Sequence, residues 1–281
     1  MNGRADAGAA SRTLVMMQWP WTLTMEEQAM RLEARHFYLA TTGVCIFLAA
    51  QAFQALCIIF WLPEESMTAA SDFAIRLGGL DRIRALAVLL GIVALAMTYG
   101  VIALDRFAQA PLTSLLGFAF GLLFIAFEVL HRGLDFVMVS QQWAGEFASA
   151  ADPAVRDALA QRHELWESFT AALYFPLLLS GMVASTCFAI ATWSSGRGWL
   201  WLASTGFALN ALRILGRLLG SYTDIAWLGF MDSFILYLLL VFLANGMVAA
   251  WLIRRAALSE SRSAPPTTPP RLIPTRQTSI S

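Results

Sequence analysis

Long apolar stretches separated by short polar segments are the dominant pattern along this chain. A transmembrane helix needs about 20 consecutive apolar residues, and six stretches reach that length. They are residues 36–62, 83–104, 112–140, 168–193, 198–219 and 226–253. The pattern therefore predicts an all-α, polytopic membrane protein built as a bundle of six transmembrane helices.

The arginines between these stretches predict the orientation of the bundle. Cytoplasmic segments of membrane proteins carry an excess of Lys and Arg. With a cytoplasmic N-terminus, the segments on that side hold more than twice as many arginines as the opposite loops. We therefore expect a bacterial inner-membrane protein with both termini in the cytoplasm. It would have an amphipathic lead-in (1–35), a membrane domain (36–253) and a disordered tail rich in Ser, Pro and Thr (254–281).

The composition agrees with this class and excludes several classes of function. The chain is 58% hydrophobic and 14% charged, whereas a soluble domain averages about 25% charged residues. Its net charge is zero, so no nucleic-acid partner is expected. Every one of the 19 basic residues is arginine. A retinal Schiff base, a pyridoxal enzyme and a Walker-type nucleotide site are excluded, because each needs a lysine amine.

Ionisable side chains recur on one face of the third apolar stretch. They follow the spacing i, i+3, i+4 and i+7, which places them on a single side of a helix. The four residues are Glu128, His131, Arg132 and Asp135. On the same face, Gly117 and Gly121 form a small-residue pair of the kind that allows a neighbouring helix to approach closely.

Other predicted helices place polar side chains at the same depth. These residues are Gln51 and Gln54 in the first stretch, Asn210, Arg213 and Arg217 in the fifth, and Asp232 in the sixth. With a rise of 1.5 Å per residue and a core of about 30 Å, this level lies roughly 6–9 Å below the outer boundary. Ionisable groups inside a membrane commonly mark ligand sites or pathways. We therefore predict that the two sets of residues form one ligand-binding cluster.

Three functions are consistent with this cluster. The first is binding or movement of a small anionic or lipidic ligand by the arginines, with Glu128 and His131 as proton partners. The second is a membrane-embedded, metal-dependent enzyme. The third is a structural or accessory subunit, in which the three acids of the cluster only neutralise its three arginines.

The enzyme hypothesis rests on two histidines near the same side of the membrane. Imidazole and carboxylate groups are the usual protein ligands of a divalent metal. The candidate ligands are His131, His163, Glu128 and Glu167. No other cofactor is predicted, and the expected partners are membrane lipid and a small-molecule or lipid ligand.

Overall fold

The computed structural model describes residues 32–61, 68–193, 199, 201–223 and 233–263. Most of these residues are helical, and none of them lies in a strand. All but the last four residues of the predicted lead-in fall outside this part of the chain. Asp232 and residues 264–281 of the predicted tail fall outside it as well.

The described residues form eight α-helices and one π-helical segment. In chain order they are α1 (Ala34–Trp61), α2 (Ala69–Arg76), α3 (Gly79–Phe107), α4 (Pro111–Leu134), the π segment (Asp135–Trp143), α5 (Ala144–Ser149), α6 (Pro153–Thr192), α7 (Trp201–Tyr222) and α8 (Phe234–Ser263). Each predicted apolar stretch overlaps one of the long helices. The last helix continues ten residues past the predicted end of the membrane domain.

Five helices in the described part of the chain are long and apolar enough to cross a membrane. They are Ala34–Phe60, Gly79–Phe107, Pro111–Ser149, Pro153–Thr192 and Phe234–Ser261. This establishes the predicted class, a helical membrane protein. The fifth predicted stretch also folds as a helix, α7, but it is not among these five. Its two arginines and its asparagine lower its hydropathy.

The long helices pack as a closed ring. The order around the ring is α1, α3, α4, α6, α7 and α8, and α8 returns to α1. Adjacent helices run antiparallel. Between α6 and α7, for example, Ser204 Oγ donates to the carbonyl of Ala189 at 2.9 Å, and Asn210 Nδ2 donates to Ser185 Oγ at 2.8 Å. Thus α7 occupies a full place in the ring.

The ring has two distinguishable ends. At the terminal end, α1 begins and α8 ends, and Tyr38 Oη donates to Glu260 Oε1 at 3.1 Å. At the lobe end, α2, the π segment, α5 and the first turns of α6 pack around the fully buried Phe73. We call this second group of short elements the lobe.

The helix α6 joins the lobe to the ring. Its start agrees with the sequence, because Asp152 caps it by accepting a hydrogen bond from the amide of Ala154 at 2.9 Å, and Pro153 is its first residue. Its 40 residues extend for about 60 Å, twice the thickness of a bilayer core. The charged first part of α6 therefore lies beyond the apolar part and belongs to the lobe.

The glycine pair predicted on α4 lies at close contacts. A Cβ atom added at Gly121 would lie 2.7 Å from Cδ2 of Tyr99, and one added at Gly117 would lie 3.0 Å from Cδ1 of Phe188. The predicted close approach is confirmed. The groups that approach are aromatic rings of α3 and α6, which fill the space that a larger side chain on α4 would take.

Candidate functional site

The charged residues predicted as one cluster, as far as the structure describes them, separate into two groups. The first lies where α4, α6, α7 and α8 meet, and we call it the bundle cluster. Its members are Glu128, Arg132, Tyr174, Asn210, Arg213, Arg217 and Tyr237. The second group lies in the lobe and includes Asp135.

Glu128 and Arg132 form an ion pair along one face of α4. The Nε of Arg132 donates to Glu128 Oε2 at 2.9 Å, and the glutamate side chain is only 10% exposed. The spacing i, i+4 brings the two side chains together on one helix. The predicted shared face is therefore present, and the carboxylate of this face is already paired with its own helix neighbour.

The two arginines of α7 lie on tyrosine rings. The guanidinium carbon of Arg213 is 4.6 Å from the ring centroid of Tyr237. That of Arg217 is 5.1 Å from the centroids of both Tyr174 and Tyr237. Guanidinium groups are attracted to the negative face of an aromatic ring. Tyr174 and Tyr237 were missed at the level of sequence, although both lie at the predicted depth of the arginines.

Asn210 orients Arg213 from one turn earlier on α7. Its Oδ1 accepts hydrogen bonds from Nη2 of Arg213 at 2.9 Å and from Nε at 3.2 Å. Its Nδ2 donates to Ser185 on α6. Because the asparagine is held by a second helix, the guanidinium of Arg213 has a defined position.

The bundle cluster has more positive than negative groups among its described members. Glu128 is the only described carboxylate within 4.0 Å of any of its three arginines. Nε of Arg217 and Nδ1 of the neighbouring His131 are buried and have no hydrogen-bond partner among the described residues. The ring of His131 lies 6.2 Å from that of Tyr174. Buried donors and acceptors are normally paired, so these atoms point to a group that the described residues do not supply.

The two predicted glutamines of α1 stand apart from the arginines. Gln51 is 5% exposed, and Oε1 of Gln54 is buried without a partner. Among the described residues, no hydrogen bond joins either glutamine to the bundle cluster.

The lobe holds a second set of charges, which we call the lobe network: Asp72, Arg76, Asp135, His163 and Trp166. Nε of Arg76 donates to Asp72 Oδ2, and its Nη1 donates to Asp135 Oδ2, both at 2.5 Å. The second oxygen of Asp135 accepts from Trp166 Nε1 at 3.1 Å. His163 Nε2 lies 2.7 Å from Asp72 Oδ2. This network joins α2, the π segment and α6.

The pKa values of α2 show how strongly the lobe network favours charge. Burial raises the pKa of the Asp72 carboxyl. The hydrogen bond with His163 and the charge of Arg76 together outweigh burial, so the pKa lies below its ordinary value of 3.8. Burial likewise lowers the pKa of Arg76, and the carboxylates of Asp135 and Asp72 raise it above its ordinary value. Both groups are therefore ionised at neutral pH.

The predicted metal ligands do not come together. No group of three or more His, Cys, Asp or Glu side chains in the described residues is arranged to hold a metal ion. His163 is 4% exposed and is paired with Asp72, whereas Glu128 is paired within α4. The side chain of Glu167 is 67% exposed, with its Oε1 3.7 Å from Nδ1 of His163.

Apolar helices closed into a ring define this chain as a helical membrane protein. Compared with protein-family models, with curated proteins and with solved structures, the chain gives no match.

Proposed function

We propose that this protein binds a small anionic ligand at Arg213 and Arg217: a carboxylate, a phosphate or the headgroup of an anionic lipid. One observation carries the proposal. Two guanidinium groups lie one turn apart on α7, and no carboxylate of the described residues lies within 4.0 Å of either one. A guanidinium presents planar N–H donors that match the oxygens of a carboxylate or phosphate.

The tyrosine rings support this function because they hold the arginines without occupying their N–H groups. A cation–π contact uses the face of the ring and the charge of the guanidinium. The N–H donors lie in the guanidinium plane, so the rings do not occupy them; in Arg213, Asn210 accepts from Nε and Nη2 only. In Arg217, Nε has no partner, and an unpaired donor in a buried place is unfavourable. An anionic ligand would supply the acceptor.

The charge balance supports an anion rather than a cation. Three arginines and one glutamate leave the described cluster with two positive charges in excess. Asp232 lies outside the described residues, and even with its charge added one positive charge is left over. Glu128 and His131 border the site and are the candidate proton partners of the ligand.

We further propose that α7 is a sixth membrane span, in a bacterial inner membrane with both termini cytoplasmic. Its 22 residues extend for about 33 Å, and its place between α6 and α8 supports a membrane-embedded position. Under this topology the lobe and the entrance to the bundle cluster face the periplasm. Reporter fusions after residues 193 and 223 test it, because these positions flank α7 and should report the cytoplasm and the periplasm, respectively. A fusion after residue 263 should again report the cytoplasm.

Binding to the purified full-length chain tests the ligand proposal. The probes are inorganic phosphate, succinate and phosphatidylglycerol nanodiscs, with phosphatidylcholine nanodiscs as the zwitterionic comparison. We expect Arg213→Gln and Arg217→Gln to weaken binding of the preferred anion roughly tenfold or more, because each loses charge-assisted hydrogen bonds. The matched control is Arg254→Gln, since Arg254 is exposed and stacks on Trp199 at the terminal end.

Two outcomes contradict the proposal. One is that no anionic probe binds the wild-type chain. The other is that both α7 variants bind as the wild type does. If a glutamine variant fails to fold, Arg213→Lys keeps the charge and removes the bidentate geometry. It should then fold and still bind more weakly, whereas a purely structural arginine would show no binding difference.

A further inference from the structure

A third group of charges lies at the terminal end of the ring, on the helices α3 and α8. We call it the terminal-end site, and its members are Asp105, Arg106, Trp251 and Arg255. The side chains of Asp105 and Arg106 are each 6% exposed, and Trp251 is 1% exposed. It is separate from the bundle cluster, whose only member on a shared helix is Tyr237, near the start of α8.

One carboxylate serves two arginines in this site. Oδ1 of Asp105 forms an ion pair with Nη2 of Arg255, and Oδ2 lies 3.1 Å from Nε of Arg106. Both guanidinium groups lie over the indole of Trp251, with their central carbons 5.2 Å and 5.9 Å from the ring centroid. Asp105 and Trp251 thus fix the two arginines next to each other, which two like charges would otherwise resist.

Several hydrogen-bonding atoms of the site have no partner among the described residues. They are Nη2 of Arg106, Nε of Arg255 and Nε1 of Trp251. All three are N–H donors, and the site carries two positive charges against one negative charge. The remaining Nη1 of Arg106 donates to Gln109 Oε1 at 2.8 Å. The missing group must therefore be rich in acceptors and negatively charged.

We propose that the terminal-end site binds a phosphoryl group, either as free phosphate or as the headgroup of an anionic phospholipid. Phosphoryl oxygens accept the in-plane N–H groups of arginine and the N–H of an indole. A single negative charge on the ligand balances the site. Arg255 keeps 22% of its side chain exposed, which leaves the site reachable from outside.

The Asp105 carboxylate distinguishes the two sources of the phosphoryl group. Free phosphate in its protonated forms carries a P–OH hydroxyl that can donate to this carboxylate beside its ion pair with Arg106. A phosphodiester headgroup has no such hydroxyl, but its lipid chains gain a position beside α3 and α8. Arginine and tryptophan near helix ends are common at the level of lipid headgroups, and Arg254 and Trp199 stack at this end too.

Binding to the full-length chain tests this site with two probes. One is inorganic phosphate added to protein in detergent. The other is phosphatidylglycerol retained in native mass spectrometry, against phosphatidylcholine as the zwitterionic comparison. We expect Arg106→Gln to weaken binding of the phosphoryl probe roughly tenfold or more, because it loses charged hydrogen bonds. Binding of phosphate alone assigns the free ion, and retention of phosphatidylglycerol assigns the headgroup.

Trp251→Phe is the decisive variant, because it keeps an aromatic ring beneath both guanidinium groups and removes only the indole N–H. We expect it to fold and to bind about three- to tenfold more weakly, the effect of one hydrogen bond. Arg254→Gln, next to Arg255, should bind as the wild type does. The proposal is overturned if neither probe binds the wild type, or if Trp251→Phe and Arg254→Gln bind equally well.

Discussion

The lobe network and the bundle cluster are built from the same residue types but differ in how the charges are matched. In the lobe, one arginine, Arg76, lies between two carboxylates, and those carboxylates also accept from His163 and Trp166. In the bundle cluster, three arginines share one described carboxylate, and two of them lie on tyrosine rings. The charges of the lobe network are paired with one another, whereas the arginines of the bundle cluster keep N–H donors that can bind another molecule.

Asp135 accounts for much of this difference. On the face of α4 it would have been the second acid of the bundle cluster, one helical turn beyond Arg132. The structure instead directs it to Arg76 on α2 and to Trp166 on α6. Removing one acid from a balanced set leaves the arginines of the bundle in excess. A fully matched network stabilises the fold, and an unmatched one is suited to a ligand.

The largest effect is expected from breaking the lobe network at Arg76. Arg76→Gln leaves Asp72 and Asp135 largely buried without their common cation, and we expect a loss of about 3 kcal/mol in the free energy of unfolding. Thermal or denaturant unfolding of the purified chain measures it. Arg162→Gln, at an exposed position of α6, is the control and should change stability by less than about 0.5 kcal/mol. If Arg76→Gln and Arg162→Gln have the same free energy of unfolding, the lobe network does not stabilise the fold.

The sequence predicts the long helices because its apolar stretches are long and their periodicity is local. The start of α6 is equally local, since an acid followed by proline is a local capping signal. The ion pair of Glu128 and Arg132 follows from spacing on one helix. All of these features depend on residues within a few turns of each other.

Contacts between distant segments could not be predicted in the same way. Asp135 and Arg76 are 59 residues apart, and their pairing depends on α2, a helix of eight residues in a loop with no long apolar stretch. The stacking of Arg217 on Tyr174 and Tyr237 depends on the order of helices around the ring. The charge of these residues and their depth in the membrane do not predict the order of the helices around the ring.

The terminal-end site shows the same limit. From the sequence, Arg106 and Arg255 are predicted to be cytoplasmic charges that help to determine the orientation of the bundle in the membrane. Their burial against Trp251 and Asp105 follows from the closure of the ring by α8 onto α1, next to the end of α3. The closure of the helix ring is a property of the tertiary structure, and no local sequence pattern predicts it.

A smaller effect is expected from removing the carboxylate of the bundle cluster. Glu128→Gln leaves Arg132 without its ion-pair partner, and we expect a loss of about 2 kcal/mol in phosphate-free buffer. If the cluster binds anions, the preferred anion should restore more stability to this variant than it adds to the wild type. Unfolding with and without the anion measures both.

Two comparisons sharpen this result. Glu167→Gln alters a mostly exposed glutamate and should leave stability within about 0.5 kcal/mol of the wild type. Arg76→Gln should gain no more from the anion than the wild type does, because its unpaired groups are acids. Equal recovery of Arg76→Gln and Glu128→Gln would mean that the anion acts on the whole chain rather than on the bundle cluster.

The smallest effect is expected from acidification, and it should depend on Asp72. The folded chain lowers the pKa of this carboxyl below 3.8, so its contribution to stability is present above pH 3.8 and is lost as the pH falls toward the lower folded value. The slope of unfolding midpoint against pH between 5 and 3 should therefore be shallower in Asp72→Asn than in the wild type. Asp157→Asn, at an exposed position, should keep the wild-type slope. Asp72→Asn also loses some stability at every pH, but this constant loss does not change the slope. Parallel slopes for all three proteins would show that the pairing of Asp72 does not stabilise the fold.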